Sequence, residues 1–341
     1  MRRLQILPIA LALLAACGPA GEEAAPPGTA SPSVPPASPA DAEPVTLLLG
    51  YIPDVQFAPF YLAQQDGSYA DVGLEVSIEH RAAPDLVREV AAGQAQFGIA
   101  DATDTMISRT SGIPVRYVAT LFGRFPVALI GPAGAVPPDA SGLAGLRIGT
   151  PGRFGSSWHA LLALLDSAGL SADDIEVREY PQFNQAQGLA NGDVDLITGF
   201  RNNEPIRLRA LGVDPQLVVV DEVVPLPGPG LIVSDDLLAG DPELVRAFAT
   251  ATARAQADVI RDPALGMEAA EAAVPSVGED RETARAVLDA TAELWAGEGG
   301  FHDGRLDVER WTSAYETMRR LGFIDGTVPL DEMIAPELLA P

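Results

Sequence analysis

Side chains equipped for covalent or metal chemistry are sparse in this 341-residue chain, and they stand far apart. There are three histidines, His80, His159 and His302, and a single cysteine, Cys17. A tetrahedral metal site needs three or four such ligands at short spacings, and neither HExxH nor CxxC is present. The run Gly155-Ser156-Ser157-Trp158-His159 sets serines near a histidine, but it is not the G-x-S-x-G nucleophile elbow. No Gly-rich phosphate loop occurs either. The chain therefore reads as a non-enzyme with no catalytic residue, no metal and no cofactor.

What the sequence does cluster is rings and short polar groups. Tyr51, Gln56 and Phe57 form one group, and Asp101 and Thr103 a second. Phe154, Ser156 and Trp158 form a third, and Phe200, Asn202 and Glu204 a fourth. Only 6% of the chain is aromatic, so rings gathered at these points are notable. Ring faces grip flat heteroaromatic molecules, each pair contributing about 0.5–1.5 kcal/mol beyond area burial. A few amide, hydroxyl and carboxylate groups then fix orientation. These eleven residues are the expected ligand-binding set. Plainer roles stay open for neighbours: Phe60 and Tyr61 as core rings, Asp101 or Asp104 as a helix cap, Asn202-Asn203 as a turn. Arg124, Arg153 and Arg201 separate ligand classes. A sulfonate or phosphate calls for one of them in the cleft, whereas a neutral ligand leaves them to ion pairs with acids such as Glu204.

The elements that must hold these groups alternate in kind. Strands are expected at 45–51, 74–80, 97–100 and 115–121, with helices at 58–69, 84–92 and 103–111 between them. A second unit repeats the plan, with strands at 146–150, 175–180, 194–198 and 217–220 and helices at 156–168 and 183–191. Such alternation gives parallel α/β layers, whose ligands sit at the carboxyl ends of the strands. Two extended apolar segments, 126–130 and 230–233, read as hinge strands. The tail is helical at 242–260, 281–296 and 307–321. Lobe 1 is then 45–125 with 234–341, and lobe 2 is 131–229.

Composition narrows the partners. The net charge is -25, and every one of the 22 basic residues is arginine. An acidic, lysine-free surface excludes nucleic acid and anionic lipid, which both need clustered cations. At the N-terminus, Met1-Arg2-Arg3 precedes a short apolar run that ends Leu14-Ala15-Ala16-Cys17. This is the pattern of a secretory signal, taken as residues 1–16, and the run is too short for a permanent span. Residues 17–44 are rich in proline, alanine and serine and read as an extended tether.

Two resemblances give these pieces a purpose. Leu-Ala-Ala-Cys17 resembles the bacterial lipobox, which implies lipidation at Cys17 and an extracytoplasmic protein anchored to the cell membrane. The stretch Leu49-Gly50-Tyr51-Ile52-Pro53-Asp54-Val55-Gln56-Phe57-Ala58-Pro59-Phe60-Tyr61-Leu62-Ala63 resembles the opening of a periplasmic solute-binding family that includes thiamine-pyrimidine-precursor and alkanesulfonate binders. Gly73-Leu74-Glu75-Val76, Gly93-Gln94-Ala95-Gln96-Phe97-Gly98-Ile99-Ala100 and Asn191-Gly192-Asp193-Val194-Asp195 follow in register, so the likeness runs over about 45–260. It implies the type II two-lobed periplasmic-binding-protein fold, two parallel or mixed sheets flanked by helices with the ligand cleft between. It also implies a monomer that hands a small molecule to an ABC permease. Within the family the opening looks most like riboflavin-binding lipoproteins, so riboflavin or a related heterocycle is the expected ligand. The alternatives are a thiamine pyrimidine precursor, an alkanesulfonate, or a sensor lobe without transport. The cysteine-rich iron motif of the fungal pyrimidine-precursor enzymes has no counterpart, because Cys17 is the sole cysteine.

Overall fold

The structure, a computed structural model, describes residues 42–81, 83–297 and 303–339. The expected signal segment, Cys17, His302 and nearly all of the expected tether lie outside the described residues.

Ten strands form two five-stranded mixed sheets among the described residues. The first contains β1 (Glu43–Leu49), β2 (Leu74–His80), β3 (Phe97–Ala100), β4 (Val115–Thr120) and β10 (Gly230–Ser234), in the order β2-β1-β3-β10-β4. The second contains β5 (Val127–Pro132), β6 (Arg147–Thr150), β7 (Glu176–Glu179), β8 (Leu196–Phe200) and β9 (Pro215–Val219), in the order β7-β6-β8-β5-β9. In each sheet one strand runs against its neighbours: β10 is antiparallel to β3 and β4, and β5 to β8 and β9. The segments read from sequence as hinge strands are these two antiparallel strands. Their apolar, Gly- and Pro-flanked composition is that of a sheet interior, and both are almost wholly buried. The backbone passes between the sheets just before each of them, at 121–126 and 220–229. Gly230 is needed where β10 enters its sheet, because a Cβ there would lie 2.1 Å from Tyr117 Oη and 2.2 Å from the Ala119 carbonyl.

Eleven helices flank the sheets among the described residues. Against the first sheet lie α1 (Ala58–Gln65), α8 (Pro242–Arg261), α9 (Pro263–Ala273) and α10 (Arg281–Ala296). Their core is centred on three stacked rings, with Phe248 between Phe97 at 3.9 Å and Tyr69 at 5.0 Å. The same sheet also packs α2 (Ala83–Ala91), α3 (Ala102–Thr110) and α11 (Val308–Arg320), with Trp311 set edge-on to Tyr117. The second sheet is covered by α4 (Gly155–Ser167), and by α5 (Gln185–Ala190) with α6 (Glu204–Ala210). The short α7 (Asp235–Gly240) leads from β10 into α8. Sequence periodicity does not name α6, α7 or α9. The first two are under two turns long, and α9 is too rich in alanine to show a polar face.

Candidate ligand-binding cleft

The loops at the carboxyl ends of β1, β3, β6, β7 and β8 meet around one cleft. The convergence follows from topology, since parallel strands within a sheet end on the same edge. The cleft is open to solvent on one side and, its mouth included, holds about 850 Å³ of space. Eight of the eleven expected residues line it: Tyr51, Gln56, Phe57, Asp101, Phe154, Ser156, Phe200 and Glu204.

Thr103, Trp158 and Asn202 do not line it, and each has a packing reason. Thr103 is fully buried in the first turn of α3, its hydroxyl 2.8 Å from His159 Nδ1. Trp158 lies further along α4 than the lining residues and packs among Leu129, Ile148 and Leu161, with the Arg153 guanidinium 5.0 Å from its ring. Asn202 is also fully buried and donates from Nδ2 to Thr291 Oγ1 at 2.8 Å, which ties the start of α6 to α10. Helix rotation turns the first two away, and a tertiary hydrogen bond claims the third.

Phe183 and Gln185 also line the cleft, and sequence reading had absorbed both into a helix. Phe183 is the one non-glycine among the described residues with left-handed backbone, φ 54, and its ring meets Tyr51 edge-on at 4.7 Å. Its signal was topological: β7 is parallel to β6, so the loop after it must reach the same edge. Phe122, Ser157 and Asn203 complete the principal side chains.

Local bonds hold these groups in place. His80 Nδ1 lies 2.7 Å from the Tyr51 carbonyl and steadies the loop after β1. The Tyr51 hydroxyl receives a long hydrogen bond from Asn203 Nδ2 at 3.5 Å. Burial, then the nearby Glu204 and Asp54 charges, drives this phenol far above its usual range, so it stays protonated. Glu204 folds back over Gly199, its Oε2 accepting the Phe200 N–H at 2.6 Å and its Oε1 accepting Gln185 Nε2 at 3.1 Å. Burial pushes its carboxyl up to about 7.

The two sheets are joined beside the cleft by carboxylates. Asp101, from the loop after β3, accepts the Ser156 N–H at 2.8 Å and the Ser156 hydroxyl at 2.5 Å. Asp104 accepts the Gly155 N–H at 3.2 Å, and burial together with the Asp101 charge pushes it up to about 7. His159 is held down to about 4 by burial and is neutral at pH 7, so its 3.7 Å approach to Asp104 is no ion pair. On another side Arg207 of α6 pairs with buried Asp54 at 2.9 Å.

The arginines that were to separate ligand classes all lie elsewhere. Arg153 pairs with Glu179 at 3.2 Å. Arg124 lies in the 121–126 crossing and Arg201 beside it, its backbone N–H donating to the Pro126 carbonyl at 2.9 Å, and burial lowers the Arg201 pKa. No arginine among the described residues lines the cleft. Among the described residues no cluster of histidine, cysteine and carboxylate side chains could hold a metal ion, and no helix is long and apolar enough to cross a membrane.

Comparison with known proteins agrees with this geometry. The aliphatic sulphonate binding protein SsuA of Escherichia coli superposes with a TM-score of 0.68 at 13% identity, covering 88% of this chain and 94% of its own. The ligand binding component of an ABC-type import system from Staphylococcus aureus gives 0.65 at 12% identity, covering 86% and 97%. The fold is therefore the two-lobed fold of periplasmic binding proteins. In sequence, riboflavin-binding protein RibY of Chloroflexus aurantiacus is 32% identical over 99% of both chains. A 4-amino-5-hydroxymethyl-2-methylpyrimidine phosphate synthase of Aspergillus parasiticus is 26% identical over 66% of this chain and 69% of its own. The NMT1/THI5 like family matches residues 54–265. With that match across most of the folded part, and a relative alike from end to end, the chain belongs to the NMT1/THI5-like family.

Proposed function

We propose that this chain is the substrate-binding component of an ABC importer, anchored outside the cytoplasm through a lipid on Cys17, and that it captures riboflavin. The observation that carries this reading is the lining itself. Six rings, from Tyr51, Phe57, Phe122, Phe154, Phe183 and Phe200, surround a cleft without an arginine. A flat, uncharged ring system such as isoalloxazine suits those faces. The hydroxyls of a ribityl chain suit Gln56, Ser157 and Asn203. The end-to-end likeness to a riboflavin-binding protein supports the same ligand. Capture without turnover fits these contacts: the Ser156 hydroxyl is held by Asp101, and neutral His159 is buried and bonded to Thr103 rather than to a serine. The two lobes are expected to close on the ligand about the crossings at 121–126 and 220–229, and to present it to a membrane permease.

The test is titration of ligand-free protein with riboflavin. Flavin fluorescence should be quenched to saturation, melting temperature should rise, and the flavin should be recovered unchanged after denaturation. Saturable binding of an aminopyrimidine or an alkanesulfonate, with none of riboflavin, would overturn the ligand. Cys17→Ser should move the protein from the membrane fraction to the soluble one; unchanged partition would overturn the anchor.

A further inference from the structure

Helix α4 is 13 residues long, and its first turn opens onto the cleft through Gly155, Ser156 and Ser157. A helix start of this kind offers unpaired N–H groups and the positive end of the helix dipole, which together favour an anion. The residue before it, Phe154, supplies no side-chain cap. Two of these donors, on Gly155 and Ser156, are nonetheless taken. Asp101 reaches over from the other sheet and spans Ser156 with both oxygens, one on the N–H at 2.8 Å and one on the hydroxyl at 2.5 Å. Asp104 takes the Gly155 N–H at 3.2 Å.

A second observation shows that this placement is particular. Asp101 stands at the N-cap of α3, where an aspartate ordinarily bonds the first turn of its own helix. It makes no such bond, and its carboxylate is turned to α4 instead. Gly155 permits the approach: it is left-handed at φ +71, and a Cβ there would lie 2.9 Å from Asp101 Oδ2.

We propose that Asp101 is the residue that bars anions from this cleft, its carboxylate holding the position on α4 that an anionic ligand group would otherwise take. A sulfonate, sulfate or phosphate must displace Asp101 from these donors, and among the described residues no arginine of the lining offers a cation in compensation. An uncharged ligand meets no such obstacle. The inference sharpens the riboflavin reading and depends on it only where flavins are the probe.

Two probes keep the failures apart. The first compares riboflavin with riboflavin 5′-phosphate, which share ring and side chain and differ in charge. The second is sulfate alone, followed by thermal shift. Wild type should prefer riboflavin by roughly tenfold or more and show no saturable response to sulfate. Asp101→Ser suits the N-cap of α3 and is too short to span Ser156, and Asp101→Asn keeps the shape without the carboxylate; circular dichroism verifies the fold of both. Either variant should acquire saturable sulfate binding and lose most of the preference between the two flavins. The inference is overturned if wild type binds both flavins equally, or if both folded variants still ignore sulfate. Failure of wild type to bind any flavin would sink the riboflavin reading, while the sulfate comparison still decides the role of Asp101.

Discussion

Glu204 is a carboxyl group in the wall of a cleft, and its neighbours decide whether it carries charge. Its approach to the Phe200 N–H depends on Gly199, since a Cβ at 199 would lie 2.6 Å from Glu204 Cδ. Burial raises its pKa to about 7, whereas an unfolded glutamate titrates near 4.3. The folded state thus holds this proton more tightly than the unfolded chain. Its contribution to stability is present below about pH 4 and is lost as pH rises toward 7. Glu204→Gln removes that loss. The variant should be more stable than wild type above pH 7, by on the order of 3 kcal/mol at most, with the difference vanishing toward pH 4. Denaturant titration across pH measures this, and a gap that persists at pH 4 would show that ionisation is not the cause. At the same scale, Phe183→Ala should weaken riboflavin binding by roughly tenfold, read by flavin fluorescence. An unchanged affinity would mean that this ring does not touch the ligand.

At the scale of elements, the antiparallel strands β5 and β10 are the distinctive parts. Each is the first strand after a crossing, and each enters its sheet between existing strands rather than at an edge. Such strands are buried on both faces and tolerate no added volume where the backbones crowd. Gly230→Ala would drive a methyl group against Tyr117 and the Ala119 carbonyl, and only strand movement can relieve that. The expected loss is about 2–3 kcal/mol in chemical denaturation. A near-neutral result would show that β10 shifts freely. The C-terminal helices close over the first sheet, and the chain end returns to it as well, with Ala335 donating to the Tyr117 carbonyl at 3.1 Å.

At the scale of the whole molecule, polar links join the two sheets. Asp101 holds Ser156 beside the ligand space, Asp54 pairs with Arg207 at 2.9 Å, Asn202 with Thr291 at 2.8 Å, and, at the end of α4 away from the cleft, Asp166 with Arg320 at 3.0 Å. Asp54 lies outside the lining, and its ion pair with Arg207 is the contact through which it links the lobes. Asp54→Asn keeps an acceptor for the Gln56 N–H and removes the ion pair. Riboflavin should then dissociate severalfold faster, with little change in association rate, as stopped-flow fluorescence would show. A change confined to the association rate would mean that Asp54 acts on entry rather than closure. Saturating riboflavin should raise stability with its concentration, by about 2.7 kcal/mol at a hundred times Kd.

What the sequence by itself determined was periodic or local. Alternating strand and helix patterns placed nearly all the strands and the long helices, because burial of one face leaves a repeat in the residues. Four loops rich in rings and polar groups marked most of the cleft, because parallel strands send successive loops to one edge. The absence of nucleophile and metal motifs likewise needed no coordinates. Tertiary structure alone decided the rest. Periodicity shows which face of a helix is apolar but not which way that face turns, so Trp158 and Thr103 joined the ligand set in sequence and the packed interior in space. Asn202 was claimed by Thr291, a partner 89 residues away. Phe183 entered the cleft through a left-handed backbone that a helical pattern conceals. Asp101 read as a ligand contact, with a cap for its own helix as the plainer role; that it lines the cleft while capping α4, 55 residues on and packed on the other sheet, follows only from how the two sheets face each other.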